Sequence, residues 1–310
     1  MEWRREDRTF ISRGVRCAAW LYLPEREEKS PVIVMAHGFG GVRSFGLPAF
    51  AERFVEAGMA VFLFDYRTFG DSEGEPRNLI DPFRHLEDWR AAVQTVRKME
   101  EVDGSRIGIW GSSFSGGHVL MLAAEDPVIR AVSAQVPYVD PIISILRIGI
   151  GNLYKSVPYA MVDFVRGIIG MSPLYIPMVG KPGTVAALAT PDVLPGYRRL
   201  VPEGMKWDNR CPARILLTMT FYRPLGHAVK IKAPTLIVVG TEDSLIDATA
   251  VRKVADRITD SELVELPVGH FDPYFDETFE TVVAKQREFF LQHLSGNGQN
   301  EVNKSTDQGS

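Results

Sequence analysis

A serine between an apolar strand and a helix is the strongest chemical signal in this sequence. The apolar segment Arg106–Trp110 predicts a strand, and the letters GSSFSGG lead from it into a predicted helix over Gly116–Ala124. Gly111, Ser113 and Ser115 match the pattern G-x-S-x-G, with serine replacing the last glycine. In this pattern a sharp turn holds the serine hydroxyl at the carboxyl edge of a sheet, where helix N-terminal N–H groups stabilise negative charge. We therefore predict that Ser113 is a nucleophile.

Three nearby serines compete for this role. With Ser112 as the nucleophile, Trp110 would stand two positions earlier, where the turn needs a small residue. Ser115 would carry its hydroxyl inside the predicted helix. The register therefore favours Ser113, and a glycine–serine turn without chemistry remains the alternative.

A serine nucleophile needs a base, because a neutral hydroxyl is weakly reactive. His270 follows the predicted strand Glu262–Leu266, at the sheet edge where open α/β sheets place their sites. His227, near the end of an irregular region, is the second candidate. The other histidines fall on predicted helices or directly after a strand: His37, His85, His118 and His293. We predict His270 as the general base.

The base needs a carboxylate that fixes its tautomer, and in this chain order the acid lies between the serine and the histidine. The loop after the predicted strand Ala233–Val239 contains three acidic residues, Glu242, Asp243 and Asp247. Asp247 is placed to cap the next helix, and Glu242 points the other way along the turn. We predict Asp243 as the acid, and an Asx turn at Asp243 is the alternative.

Two further loops follow the first buried strands. The segment at 37–41 has the sequence HGFGG, and its glycines allow backbone N–H groups to approach the carbonyl oxygen of a substrate. We therefore predict that the N–H groups of Phe39 and Phe114 form an oxyanion hole. No Gly-Lys-Ser/Thr follows, which excludes a phosphate loop. The loop DYRTFGDSEG at 65–74 is predicted to be mainly a structural turn, with Tyr66 as a candidate substrate-binding residue.

The surrounding elements alternate between strand and helix, which predicts a mostly parallel sheet with helices on both faces. Strands are predicted over Val15–Leu23, Pro31–Ala36, Met59–Phe64, Arg106–Trp110, Ala131–Val136, Ala233–Val239 and Glu262–Leu266. Helices are predicted over Leu47–Ala57, after the Asp81-Pro82 cap, and over Gly116–Ala124, Thr249–Ile258 and Thr278–Leu294.

This alternation stops between residues 137 and 231. We predict a core of residues 1–136 and 232–294, a mostly helical cap insertion at 137–231, and a disordered polar tail at 295–310. A second independent domain is the alternative for the insertion. Its apolar residues predict an apolar acyl pocket, and packing of the cap on the sheet is the alternative for each of them: Ile142, Ile143, Ile145, Leu146, Ile148, Ile150, Tyr154, Tyr159, Met161 and Phe164.

Composition excludes several classes of protein. The 310 residues include 35 Lys and Arg against 39 Asp and Glu, so the net charge of −4 does not favour nucleic acid as a partner. Cys17 and Cys211 are too few for a disulfide scaffold, and the His, Asp and Glu residues lack metal-ligand spacing. The charged amino end has no apolar signal segment, and charges or prolines interrupt the two most apolar stretches, Ile142–Leu153 and Val157–Gly180. We therefore expect a cytoplasmic protein with no membrane span.

Five ordered motifs together resemble the α/β-hydrolase superfamily over about residues 15–294: HGFGG at 37–41, DYRTFGDS at 65–72, GSSFS at 111–115, GTED at 240–243 and GHF at 269–271. The elbow and the 65–77 loop resemble a branch of dienelactone-hydrolase-like esterases and polyketide transferases. This resemblance implies a serine–histidine–aspartate triad, esters or thioesters as substrates, an acyl-enzyme and no cofactor. Dienelactone hydrolases use cysteine where this chain has Ser113.

The residues and the resemblance together predict a serine esterase that acts on a small-molecule ester with an apolar acyl group. An acyltransferase or polyketide-releasing enzyme would use the same triad with another acceptor. A non-catalytic binding protein of this fold is the alternative from a different class. The sequence leaves the natural substrate and the oligomeric state open.

Overall fold

An eight-stranded, mostly parallel sheet organises the chain. The computed structural model describes residues 1–143 and 150–295. In chain order the strands are β1 (Trp3–Ser12), β2 (Val15–Pro24), β3 (Ser30–Ala36), β4 (Ala60–Phe64), β5 (Val102–Ser112), β6 (Ile129–Gln135), the short pair β7 (Tyr175–Ile176) and β8 (Cys211–Pro212), β9 (Thr235–Gly240) and β10 (Ser261–Leu266). The large sheet has the order β1-β2-β4-β3-β5-β6-β9-β10. Only β1/β2 and β2/β4 pair in antiparallel fashion within it.

Helices cover both faces of this sheet, as the alternating pattern predicted. The described helices are α1 (Leu47–Glu56), α2 (Pro82–Val96), α3 (Phe114–Ala123), α4 (Ile150–Ile168), α5 (Val193–Leu200), α6 (Ile215–Thr218), α7 (Ala248–Ala255) and α8 (Asp276–Leu294). Helices α1 and α8 share one core cluster, whereas α2, α3 and α7 belong to the other. Every residue of β3 and β4 is buried, which is typical of strands covered on both sides. The predicted α/β fold is confirmed.

Local signals placed several element boundaries correctly. The Asp81 carboxylate accepts the N–H groups of Phe83 and Arg84 at the start of α2, with Pro82 as its first residue. Gly58 follows α1 with φ of +89°, a conformation that suits a residue without a Cβ. Strand β1 was not predicted, because its residues 3–8 (WRREDR) are mostly charged. This edge strand buries only Phe10 and Ser12 fully.

Between β6 and β9 the described elements are the helices α4, α5 and α6, the short β7/β8 pair and 3₁₀ turns. The buried Asp163 on α4 binds Arg214 (Oδ2 to Nε, 2.7 Å) and also accepts the N–H of Leu174 at 2.7 Å. This ion pair fixes α4 to the segment that begins α6.

The predicted acyl-pocket residues of this region are mostly not buried. The side chain of Tyr154 is 83% exposed, and those of four others are also exposed: Ile142, Tyr159, Met161 and Phe164. Ile143 packs against the core. Ile145, Leu146 and Ile148, the side chain of Ile150 and the predicted tail at 296–310 lie outside the described residues. The sequence showed that the region between β6 and β9 is rich in apolar residues but did not show which of these residues are buried.

The structure also describes the two cysteines and the apolar character of the helices. Cys17 and Cys211 are both buried free thiols. Over residues 1–143 and 150–295, no helix combines the length and the apolar character needed to cross a bilayer.

Candidate active site

The turn between β5 and α3 holds Ser113 in a strained conformation. Its backbone has φ of 57° and ψ of −119°, a region that residues with side chains rarely occupy. The reversal brings Gly111 so close to the following turn that an added Cβ would clash with the carbonyl group of Ser115. Only a glycine fits at position 111, because the chain folds back on itself there. The strain is the local cost of projecting the Ser113 hydroxyl from the turn.

Ser115, which departs from the usual glycine, is accommodated by a hydrogen bond from Tyr66. The Tyr66 hydroxyl donates to Ser115 Oγ at 3.1 Å and accepts Trp89 Nε1–H at 2.9 Å. Tyr66 is fully buried, and its ring stacks on His85 with centroids 3.9 Å apart. The structure therefore places Tyr66 behind the turn as a supporting residue, apart from the residues that line the cavities at Ser113. Tyr66 therefore has no exposed surface with which to contact a substrate.

The structure brings together the three side chains predicted as nucleophile, base and acid. Ser113 Oγ lies 3.0 Å from His270 Nε2, and His270 Nδ1 lies 2.6 Å from Asp243 Oδ2. His270 is 3% exposed and Asp243 is 2% exposed. With Nδ1–H donating to the carboxylate, Nε2 is free to accept the serine proton, which is the geometry of a general-base pair. His227, the other candidate base, does not form the bond to Ser113 Oγ.

The loop after β9 presents Asp243 to the histidine. Its Oδ1 accepts the N–H groups of Leu245 and Ile246 at 2.7 and 2.8 Å, which leaves Oδ2 directed at His270. Asp247 instead caps α7 through Ala250 N–H at 2.9 Å, and Glu242 is exposed. The Asx-type turn given above as the alternative for Asp243 is therefore also present, and it orients the carboxylate toward the base.

The HGFGG loop packs directly against the nucleophile turn. An added Cβ on Gly38 would lie 3.0 Å from the carbonyl oxygen of Ser112 and 3.2 Å from Ser113 Cβ. The rings of Phe39 and Phe114 meet edge to face at 5.6 Å. Phe114 is the first residue of α3, so its N–H has no carbonyl within the helix to bond. The backbone of both predicted oxyanion residues therefore lies beside Ser113.

Two small cavities of about 30 Å³ each flank Ser113, and Phe39 also lines both. The first, here called the histidine-side cavity, includes His270 and is further lined by His37, Gly38, Gly41, Phe45, Leu47, Tyr197, Leu200, Phe271 and Tyr274. The second, the apolar cavity, is further lined by Phe114, Tyr138, Leu188, Met219, Leu245 and Ile246. The nucleophile thus stands between two separate spaces.

A larger cleft of about 830 Å³ lies away from these residues. It is formed where β5 and β6 begin and where α8 ends, with Arg106, Arg130, Lys232 and His293 among its lining residues. Because none of the three triad candidates lines it, size alone does not identify the reactive site. Among residues 1–143 and 150–295, no group of three His, Cys, Asp or Glu side chains could hold a metal ion.

Three neutral histidines are buried around the turn, and one of them, His37, also lines the histidine-side cavity. Burial lowers the pKa of His37 and of His118 to about 3, and it lowers the pKa of His85 well below its usual value. His118 Nδ1 and the Tyr222 hydroxyl are hydrogen-bonded at 2.7 Å. The cluster is therefore part of the uncharged core that supports α3.

This cluster predicts that acid destabilises the fold. The unfolded histidines bind protons below about pH 6.5, whereas folded His118 binds one only below about pH 3, so its contribution to stability is lost as pH falls through that window. Each such histidine contributes a slope of about 1.4 kcal/mol per pH unit. Urea unfolding at several pH values should give a shallower slope for His118→Gln than for wild type. An unchanged slope in His118→Gln would contradict this assignment.

Sequence patterns did not reveal two residues at the site. Tyr274, just after the histidine loop, donates its hydroxyl to Ser112 Oγ at 2.6 Å, next to the nucleophile. Tyr197, on α5, donates its hydroxyl to the carbonyl oxygen of Phe39. Neither lies in a local motif. For Tyr274, its position four residues after His270 was the only available signal.

Comparison with known proteins agrees with this architecture. Residues 33–285 match the model of the alpha/beta hydrolase family, and the chain belongs to that family. The quorum-quenching protein AidA of Acinetobacter baumannii is 40% identical over 283 residues, which cover 91% of this chain and 93% of AidA. The polyketide transferase af380 of Aspergillus fumigatus is 29% identical, with 94% and 99% of the two chains covered.

A solved structure gives the same result for the fold. The alpha/beta hydrolase GrgF from Penicillium superposes with a TM-score of 0.81 at 26% identity, covering 94% of this chain and 99% of GrgF. The relatives thus match nearly the whole chain, including the region between β6 and β9.

Proposed function

We propose that this protein is a serine hydrolase that cleaves carboxylic esters, and thioesters of similar shape, through an acyl-enzyme. The observation that carries this proposal is the continuous chain of contacts from Ser113 Oγ through His270 to Asp243, at 3.0 and 2.6 Å. A chain of these three groups, in which the acid and the base are buried and the serine is strained, is the arrangement that activates a hydroxyl for acyl transfer.

Each residue then has a defined part in the reaction. His270 Nε2 takes the proton of Ser113 as Oγ attacks the acyl carbonyl, and the N–H groups of Phe39 and Phe114 bind the resulting oxyanion. His270 then returns the proton to the departing alcohol or thiol. Water then attacks the acyl-enzyme and gives a proton to His270. His270 passes this proton to Ser113 Oγ as the bond between Oγ and the acyl group breaks, which releases the acid. Asp243 holds the tautomer and stabilises the imidazolium.

The two cavities separate the two halves of the substrate. The leaving group must reach His270 to be protonated, so it belongs in the histidine-side cavity. The acyl chain then extends into the apolar cavity, whose lining includes Leu188, Met219 and Ile246. Because this cavity is small, we expect short acyl groups to react fastest.

Enlarging one cavity should change the preference for one half of the substrate. Met219→Ala should raise the ratio of kcat/KM for hexanoyl over acetyl esters by roughly tenfold, because added methylenes gain a place to bind. Leu200→Ala, a matched truncation in the histidine-side cavity, should instead change the preference among leaving alcohols. The acyl preference and the alcohol preference are both measured with the methyl and butyl esters of acetic and hexanoic acid. If Met219→Ala changed only the preference among alcohols, the assignment would have to be reversed, with the acyl chain in the histidine-side cavity and the leaving group in the apolar cavity.

The substrate class is tested with a panel of simple alkyl esters, thioesters and lactones of varied chain length. Lactones belong in the panel because a lactone is a cyclic ester. We expect saturable hydrolysis of at least one ester class. Absence of turnover across the panel by the folded protein would count against the proposal.

Acyl transfer is the second candidate, and two observations favour it. Polyketide transferases are among the relatives that cover nearly the whole chain, and the cavities beside Ser113 are small and largely apolar. A site that excludes water would pass the acyl group to an alcohol instead. Product ratios in mixed water and alcohol distinguish the two: transfer predicts ester product well above the alcohol's share of the solvent, and hydrolysis predicts mainly acid.

A further inference from the structure

A tyrosine from the insertion contacts the backbone of the predicted oxyanion loop. Tyr197 lies on α5, and its hydroxyl donates to the carbonyl oxygen of Phe39. Phe39 is separated from Tyr197 by 158 positions in the chain, so this bond joins the insertion to the core. It ends on the same residue whose N–H is assigned to the oxyanion.

Packing fixes the position of this tyrosine. Its ring stacks on Trp207, with centroids 5.4 Å apart and planes 9° apart, and it meets Phe271 edge to face at 5.6 Å. The preceding Gly196 lies so close to the Phe271 ring that an added Cβ would clash with it. Phe271 directly follows the base, so α5 is packed against both the histidine loop and the oxyanion loop.

The hydroxyl of Tyr197 remains a donor at working pH. Burial raises the pKa of this phenol far above its usual range, so it stays protonated. A neutral donor suits a carbonyl acceptor, and the bond is made in a buried setting where hydrogen bonds are stronger than in water.

We propose that Tyr197 is a positioning residue that holds the Phe39 segment in the orientation needed to bind the oxyanion. The loop at 37–41 contains three glycines, and glycine backbones have more accessible conformations than those of other residues. Fixing the Phe39 carbonyl restricts rotation of the backbone on both sides of that residue, including the peptide that carries its N–H. Preorganised donors stabilise a transition state because they need no rearrangement when charge develops. This inference rests on the proposed serine hydrolase.

A consequence concerns the insertion as a whole. Because the donor comes from α5, the oxyanion site is complete only when α5 is seated on the core. The insertion then contributes to the rate of the chemical step as well as to substrate binding.

The test compares two tyrosines that both donate from the insertion to a core carbonyl. Tyr197→Phe removes the bond to Phe39, whereas Tyr175→Phe removes a bond to the carbonyl of Arg77 at 3.0 Å. We expect Tyr197→Phe to lower kcat by about tenfold or more with little change in KM, because the lost interaction serves the transition state. A trifluoromethyl ketone, which forms a tetrahedral adduct with the serine, should lose affinity by a similar factor. Tyr175→Phe should stay within about twofold of wild type in both measurements.

Two further measurements keep the outcome decisive. Thermal unfolding of both variants separates a loss of folding from a loss of positioning, and 4-aminophenylalanine at position 197, which restores a donor, should recover kcat. If Tyr197→Phe keeps its kcat and its ketone affinity, or raises only KM, the positioning role is wrong while the hydrolase proposal stands. If wild type neither turns over esters nor reacts with a fluorophosphonate, both proposals are wrong.

Discussion

Replacing Ser113 by alanine should lower ester turnover by roughly 10⁴-fold or more, because no other group in the site can form the acyl-enzyme. The fold should survive, since alanine removes only the hydroxyl that faces His270 Nε2 at 3.0 Å. Initial rates with acetyl and butyryl esters measure the effect, and thermal unfolding confirms that the variant is folded.

The neighbouring serines provide matched controls for this change. Ser112 Oγ accepts a bond from Tyr274, and Ser115 Oγ accepts one from Tyr66. Ser112→Ala and Ser115→Ala remove these supporting bonds, so we expect at most about a tenfold decrease in kcat. A Ser113→Ala protein that kept its turnover, or an equally large loss in Ser112→Ala, would overturn the choice of nucleophile.

Asp243→Asn should produce the second large loss, about 10³-fold to 10⁴-fold in kcat, with little effect on stability. The asparagine oxygen can still accept the N–H groups of Leu245 and Ile246, so the loop is expected to keep its shape. The amide nitrogen then faces His270 Nδ1, which must become an acceptor. The imidazole proton moves to Nε2, and the base can no longer accept the proton of Ser113.

Asp247→Asn is the control for this experiment. Asp247 caps α7 through Ala250 N–H, and asparagine is an equally good cap. This variant should match wild type in both kcat and stability. If Asp243→Asn also matched wild type, or if the loss appeared in Asp247→Asn, the assigned acid would be wrong.

The sequence predicted those parts of the molecule that local chemistry determines. The strand β5, the small residues around Ser113 and the cap of α2 each require particular residues at fixed spacing. The chain order of serine, acid and histidine at strand ends was sufficient to select the three side chains that the structure brings together. Their separation in sequence did not matter, because parallel strands end at a shared edge.

Contacts set by tertiary packing could not be predicted in the same way. Tyr66 follows β4 at the correct edge, but its ring turns under α2 and stacks on His85, so position along the chain did not reveal its direction. Tyr197 reaches Phe39 only because α5 folds back onto the core. In the insertion, the apolar residues Tyr154 and Met161 face outward, where composition alone suggested an inner lining.

Mass spectrometry after reaction with a fluorophosphonate tests the central claim most directly. We predict one phosphonyl adduct per chain, located by peptide mapping on Ser113, and a much slower reaction in Asp243→Asn. A folded protein that forms no adduct would contradict the account and favour a non-catalytic binding protein of the same fold. An adduct on Ser112 or Ser115 in place of Ser113 would contradict it equally.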